Sequence, residues 1–267
     1  MILTIDAGNT NIVIAGFKDS PLAEGGSQFF KARIDTNQAR MADQYAILIR
    51  DILRLYDIDV SLIVGAVISS VVPPITRHIE AAVNGLLKSA TGGSPALVVG
   101  PGLKTGLNIK IDNPGELGAD LVCGAVAAKT LYKSPCIVID LGTVTKVMAI
   151  DKSGALIGGV LAPGVGVSFQ VMARSTALLP LVGADAKPGK VIAANTTDCI
   201  QNGILYGTAC MLDGLIEKFE EEIGESCHVV ATGGFSEVIA PYCKRVFEVN
   251  GSLVSQGLMI IYNKNRV

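Results

Sequence analysis

One short pattern occurs twice, about half a chain apart, and it constrains the fold more than any other feature of the sequence. The apolar run Met1-Ile2-Leu3-Thr4-Ile5 enters Asp6-Ala7-Gly8-Asn9-Thr10-Asn11, and a second apolar run, Ile12 to Phe17, follows. Further on, Cys136 to Ile139 enters Asp140-Leu141-Gly142-Thr143-Val144-Thr145, followed by Lys146 to Ile150. Two β-rich runs joined by a tight polar loop with a glycine read as a hairpin. Laid over each other, Asp140 falls on Asp6, Gly142 on Gly8, Thr143 on Asn9 and Thr145 on Asn11. Internal repetition fixes architecture before anything else does. It predicts two similar domains whose hairpin loops face a shared cleft.

Each loop offers a carboxylate, a flexible glycine and small hydroxyl or amide groups. That set suits a phosphate tail: backbone N–H groups and hydroxyls bind oxygens, and a carboxylate holds Mg²⁺, usually through water. A single such loop is accounted for by Asx-turn chemistry alone. The second copy is what points to phosphate.

The rest of the chain fits two domains of one plan. Residues 18–26 read as a loop, with Pro21 and the Gly25-Gly26 pair. Gln28 to Asp35 reads as a third strand, and Thr36 to about Tyr56 as a helix with an apolar stripe at helical spacing. A buried strand from Leu62 to Ser69, a helix from Ile75 to Leu87 and a strand from Ala96 to Val99 complete a βββαβαβ order. Residues 100–118, rich in Gly, Pro and Asn, read as hinge and cleft wall. The second half repeats the theme. A helix from Ala119 to Tyr132 precedes the second hairpin, and a strand from Ala155 to Leu161 follows it. Ala162-Pro163-Gly164 opens a helix expected to face the core with Val167, Val171 and Met172. A long helix spans Thr196 to Ile223, with Gly203, Gly207 and Gly214 spaced for close packing; a strand from His228 runs into Thr232-Gly233-Gly234, and a helix from Leu253 to Tyr262 ends the chain. The expected domains are 1–115 and 116–267.

Several function classes are excluded. The net charge of −2, without a long basic run, argues against a nucleic-acid surface. No apolar run reaches the roughly eighteen residues of a membrane span. Asp6 interrupts the first apolar stretch, so no signal peptide is expected. The six cysteines form no C-x-x-C pair and read as free, largely buried thiols of a cytoplasmic protein. Two distant histidines, His78 and His228, leave a Ser-His-Asp triad or a His-rich metal site improbable.

The two hairpins together resemble the actin/hexokinase/Hsp70 superfamily, in which two ribonuclease-H-like domains hold ATP in a cleft. Further motifs narrow the resemblance: Asn113-Pro114-x-x-Leu117-Gly118-Ala119-Asp120, Gly158-Gly159-x-x-x-Pro163-Gly164, and Arg174-x-x-Ala177-Leu178-Leu179-Pro180. With Asp6-x-Gly8-Asn9-Thr10-Asn11 and Asp140-x-Gly142-Thr143, in this order, the chain resembles the type III pantothenate kinases over nearly its whole length. That resemblance implies a homodimer that phosphorylates pantothenate to 4′-phosphopantothenate, opening coenzyme A synthesis, with ATP, Mg²⁺ and a monovalent cation, potassium or ammonium. It also implies roles. Asp6, Ala7, Gly8, Asn9, Thr10, Asn11, Ile12 and Val13 form the ATP-phosphate loop, with Asp6 on Mg²⁺ through water. Thr143 is a second ATP contact and Asp140 the monovalent-cation ligand. Gly118, Ala119, Asp120, Leu121 and Thr196 contact pantothenate, and Asp120 accepts the hydroxyl proton. Thr232-Gly233-Gly234 resembles the adenosine turn.

Three positions depart from the family pattern. Leu121 replaces an arginine, Ile111 a tyrosine of the substrate wall, and Lys146 a small hydroxyl residue. Leucine cannot hold an anion bidentately. Lys146 is open to three readings: a local salt bridge, a reach to phosphate or displacement of the monovalent cation, and a lysine snorkelling from a strand edge. Alternatives to a pantothenate kinase are a same-fold kinase for another small hydroxylated substrate and a catalytically silent regulatory homologue.

Overall fold

The computed structural model describes residues 1–19, 27–91, 94–184 and 190–266. In chain order the elements are β1 (Ile2–Ala7), β2 (Asn11–Phe17), β3 (Gln28–Asp35), α1 (Ala42–Leu55), β4 (Gly65–Ser70), α2 (Pro73–Thr91), β5 (Leu97–Val98), β6 (Asn108–Ile109) and α3 (Ala119–Leu131). They continue with β7 (Cys136–Leu141), β8 (Val144–Ile150), β9 (Ala155–Pro163), α4 (Val165–Arg174), α5 (Thr196–Ile223), β10 (His228–Thr232), α6 (Ser236–Ile239), β11 (Glu248–Val249) and α7 (Leu253–Asn265). No helix of the described residues is long and apolar enough to cross a membrane. The loop expected at 18–26 lies mostly outside the described residues.

Two compact units result. The first comprises Met1–Leu107, Asp112–Leu131 and Leu253–Val267, the second Asn108–Ile111 and Tyr132–Ser252. The expected division at 115/116 is therefore corrected: α3 and α7 belong to the first unit. The reason is packing. A Cβ on Gly257 of α7 would collide with the Cys123 carbonyl of α3, so the two helices meet backbone to backbone. The Tyr262 ring of α7 fills the space over Gly65 of β4.

The first unit is a five-stranded sheet of order β3-β2-β1-β4-β5. The meander β1–β3 is antiparallel, and β4 and β5 run parallel to β1. Side chains alternate faces along a strand. Leu3, Ile5, Ile12, Ile14 and Ile68 pack with Tyr45, Ile49 and Leu53 of α1 and Ile75, Ile79 and Val83 of α2. Ile2, Ala15 and Phe17 face the other way, onto Met259 of α7. Covered on both faces, β1 is wholly apolar until Asp6 except for Thr4, whose hydroxyl reaches the Ala15 carbonyl.

The second unit carries a six-stranded sheet of order β11-β10-β7-β8-β9-β6. The meander β7–β9 is antiparallel and β10 runs parallel to β7, the same plan as the first unit. One face of β7 and β10 packs on α5, through Ile137, Ile139, Leu205, Leu212 and Ile216.

Several expected boundaries move. α1 starts at Ala42, not Thr36, because the intervening side chains make turn bonds instead of a helix. Asn37 accepts from the Ala39 N–H at 2.9 Å, Arg40 pairs with Asp35 at 3.1 Å, and Gln44 caps the Met41 N–H at 2.8 Å. β4 starts at Gly65, not Leu62, since Asp59 caps a 3₁₀ turn over Val60–Leu62. α2 extends beyond Ile75–Leu87 at both ends, with Pro73 in its first turn, where a missing N–H costs nothing. α4 faces the core with Val165 and Phe169; Val171 and Met172 are exposed. The glycines of α5 do not serve packing among the described residues: no atom lies within 4 Å of a Cβ built on Gly203, Gly207 or Gly214.

Candidate active site

The first loop is built by backbone bonds around glycine. The Gly8 N–H donates to the Asn11 carbonyl at 3.0 Å, and a Cβ on Gly8 would lie 3.1 Å from that same oxygen. Thr36 ties the loop down from β3: its N–H donates to the Thr10 carbonyl at 3.0 Å and its hydroxyl to the Gly8 carbonyl at 2.6 Å. Ala7 and Ile12 are buried and Val13 is half-buried, so they anchor the loop, while Asn9, Thr10 and Asn11 are exposed. Asp6 stands opposite Val13 on β2 and Ser69 on β4. The loop therefore presents amide and hydroxyl groups outward from a rigid base with one carboxylate beneath them.

The start of α3 lies in the same unit as this loop: a Cβ on Gly118 would lie 3.3 Å from the Val71 side chain, and the Val71 N–H donates to the Ala7 carbonyl at 3.1 Å. A Cβ on Gly118 would lie 2.5 Å from Asp120 Oδ1, so the carboxylate lies back over the glycine. Asp120 Oδ1 accepts from the Leu121 N–H at 2.8 Å, and the Val122 N–H donates to the Gly118 carbonyl at 3.1 Å. A carboxylate in a first helical turn is favoured by the helix dipole. Cys123 follows three residues after Asp120, on the same helix face, and is fully buried. Its thiol is pushed well above its usual range, by burial first and then by the charges of Asp6 and Asp120, with the Ser69 hydroxyl beside it acting in the opposite sense. Asp120 and Cys123 thus share one face of α3, in the same compact unit as the Asp6 loop.

The second loop belongs to the second unit. Asp140 pairs with Lys146 and Leu141 with Thr145, whereas in the first hairpin Asp6 pairs with Val13 and Ala7 with Ile12. The first loop is one residue longer. Thr145 is therefore the counterpart of Ile12, not of Asn11, which corrects the alignment of the two loops. The Lys146 ammonium lies 2.7 Å from Asp140 Oδ2, and both side chains are 17% exposed. Asp140 Oδ1 turns toward the loop, 3.3 Å from where a Cβ on Gly142 would lie. Thr143 is exposed. Two glycines admit the loop to its surroundings. A Cβ on Gly164, which precedes α4, would lie 2.5 Å from the Gly142 carbonyl oxygen; one on Gly233 would lie 2.6 Å from the Leu141 nitrogen. Gly233 has φ of +93°, a conformation suited to glycine. The Phe235 N–H donates to the Leu141 carbonyl at 3.1 Å. The Thr232-Gly233-Gly234 turn thus packs directly on the second loop. Thr196 is exposed at the first position of α5, where Asn195 caps the helix by accepting from the Asp198 N–H at 2.9 Å.

Among the described residues no cluster of three or more His, Cys, Asp or Glu could hold a metal alone. A nucleotide-borne Mg²⁺ needs only one or two carboxylates besides phosphate and water, and Asp6 beneath the exposed amides fits that donor set. The monovalent cation expected at Asp140 does not fit, because the lysine ammonium sits on Oδ2. Of Lys146's three sequence readings, the local salt bridge is the one observed. Sequence reasoning missed Thr36, which holds the first loop from just beyond β3, and Cys123, buried one turn after Asp120. Neither carries a local signal. Gly164 and Gly233 were visible as motif glycines, though not as contacts of one loop.

A family model described as type III pantothenate kinase matches residues 2–218. Solved structures share the fold at low identity. A Campylobacter jejuni protein put forward as a Baf family transcriptional activator is 17% identical, with a TM-score of 0.59 over 98% of this chain and 98% of that one. The activator of 2-hydroxyisocaproyl-CoA dehydratase from Clostridium difficile, with bound ADPNP, is 13% identical, with a TM-score of 0.55 over 98% and 94%. The ethanolamine utilization protein EutJ from Carboxydothermus hydrogenoformans is 17% identical, with a TM-score of 0.52 over 97% and 89%. The fold is that of the actin/hexokinase/Hsp70-like ATPases.

Proposed function

The chain belongs to the type III pantothenate kinase family, and from that premise we propose that it transfers the γ-phosphoryl group of ATP to the terminal hydroxyl of pantothenate. The product is 4′-phosphopantothenate and the step opens coenzyme A synthesis. The observation that supports the reading is Asp120 in the first turn of α3, its Oδ1 fixed by the Leu121 N–H, in the same compact unit as the Asp6 loop. Phosphoryl transfer to an alcohol needs phosphate charge neutralised, reactants in line and one base at the hydroxyl.

The residues divide these tasks. Asp6 to Val13 hold phosphate oxygens through the loop's N–H, amide and hydroxyl groups, and Thr143 supplies a hydroxyl from the second loop. Asp6 would hold a nucleotide-borne Mg²⁺ through water, and that ion would supply neutralisation of the phosphate charge. Asp120 accepts the pantothenate hydroxyl proton; the Leu121 N–H fixes its Oδ1 and so its orientation. Gly118, Ala119, Leu121 and Thr196 contact pantothenate. The enzyme works in the cytoplasm as a homodimer. The dimer is supported by the outward face of α5, where Gly203, Gly207 and Cys210 are exposed and Gly214 is half-buried, a stripe narrow enough for a second helix to approach. A second reading, a same-fold kinase for another small hydroxylated acceptor, is favoured by one observation: an aliphatic Leu121 directly after the base.

Asp120→Asn tests the assignment. Turnover with pantothenate should fall about 10²–10⁴-fold, with ATP affinity and the Michaelis constant little changed. Unchanged turnover would remove Asp120 from the reaction.

A further inference from the structure

We propose that the Lys146 ammonium is a built-in monovalent cation for the second phosphate loop, so that ATP binding by this chain needs no free potassium or ammonium ion. The inference rests on the reading that the Gly142–Thr143 loop meets an ATP phosphate. It does not rest on the identity of the acceptor.

Strand register makes the pair. Lys146 and Asp140 are directly opposed across β7 and β8, so their side chains leave the same face of the sheet as neighbours. The 2.7 Å separation is that of a charge-assisted hydrogen bond. On its other side Lys146 is registered with Leu161 of β9, which brings no competing anion. At 17% exposure each, the two charges are mostly shielded from water, and removing one leaves the other costly to keep there.

The lysine supplies what a bound ion would. It carries one positive charge, and its head group is a substituted ammonium. A free cation on Asp140 Oδ2 would need the volume that Nζ fills, and would meet a like charge at contact distance in a poorly screened site. Asp140 then links the ammonium to the loop: Oδ2 takes the lysine and Oδ1 turns toward Gly142. Lys146 is in these terms a positioning residue, holding a carboxylate that orders the loop. The first hairpin has Val13 at the matching place, so the device belongs to the second loop alone.

The test is ATP affinity of the full chain with Mg²⁺, by titration calorimetry, in tetramethylammonium chloride and in potassium chloride at equal ionic strength. The wild type should bind within about twofold in both salts, whereas Lys146→Ala should lose about tenfold or more in tetramethylammonium and regain it with potassium or ammonium. A wild type that gains about tenfold on adding potassium overturns the proposal, as does a Lys146→Ala variant indifferent to the salt, or a wild type that binds no ATP in either. Should Lys146→Ala not fold, crystals of the wild type soaked in thallium(I), which substitutes for potassium, decide: no anomalous peak beside Asp140 is expected, and a peak there contradicts the assignment. Salt-independent ATP binding without pantothenate turnover would uphold this inference while removing pantothenate as the acceptor.

Discussion

Leu121 holds Asp120 with its backbone N–H, a contact that any residue type would supply, so only its side chain bears on the acceptor. The half-buried leucine offers no charge to an anionic substrate. Pantothenate carries a carboxylate, which in the proposed site would need another cation or N–H donor. Leu121→Arg is accordingly expected to lower the Michaelis constant for pantothenate with turnover little changed, measured in steady-state assays. A variant that loses all activity while Asp120→Asn still shows a base at work would mean a pocket rebuilt for another acceptor or another pose. At this scale the sequence was informative about local placement: Asp6 and Asp140 stand near the ends of their strands, and Gly8 and Gly142 follow in the turns, as the hairpin pattern predicts. It was silent where the role depends on a neighbour far along the chain. Thr36 binding Gly8, and Cys123 buried one turn after Asp120, have no motif, and only the pairing of β3 with β2 and the packing of α3 bring them into place.

Elements were legible where both ends carry chemistry. α5 has the predicted bounds, because Asn195 caps its start and Gly224, at φ of +82°, closes its end. The start of α1 was misplaced because turn-forming side chains precede an apolar stripe that reads as helix throughout. The α5 glycines were legible as a packing signal but not as to partner. The protein's thiols can report that partner. Thiolate, not thiol, is the reacting form. Burial pushes Cys136 and Cys243 up to about 12 and Cys227 up to about 11, so these stay protonated near pH 8, and Cys123 is held well above its usual range. Cys199 and Cys210 are exposed in the single chain. Maleimide labelling followed by mass spectrometry should therefore modify Cys199 rapidly. Cys210 should be protected at concentrations where light scattering gives a dimer, and exposed on dilution. Equal labelling of both at every concentration, with a monomer in light scattering, would contradict a dimer through α5.

For the whole molecule, the duplicated hairpin gave the two-unit plan, and the order of secondary structure gave the meander-plus-parallel sheets. The distribution of helices between units was not legible. α3 and α7 flank the second unit in sequence yet pack on the first, because Gly257 lets α7 lie against Cys123 and because the second face of β1 and β2 needs covering. That arrangement puts Asp120 in the same compact unit as the Asp6 loop, which the linear order of motifs does not foretell. The reaction proposed for this chain is transfer of a phosphoryl group from ATP to pantothenate. The direct measurement is ³¹P NMR and mass spectrometry of a reaction holding the purified chain, ATP, Mg²⁺ and pantothenate, run in parallel against a panel of small alcohols. The account predicts 4′-phosphopantothenate formed one for one with ADP. ATP bound and left intact with pantothenate, or consumed only with a different alcohol, would contradict it.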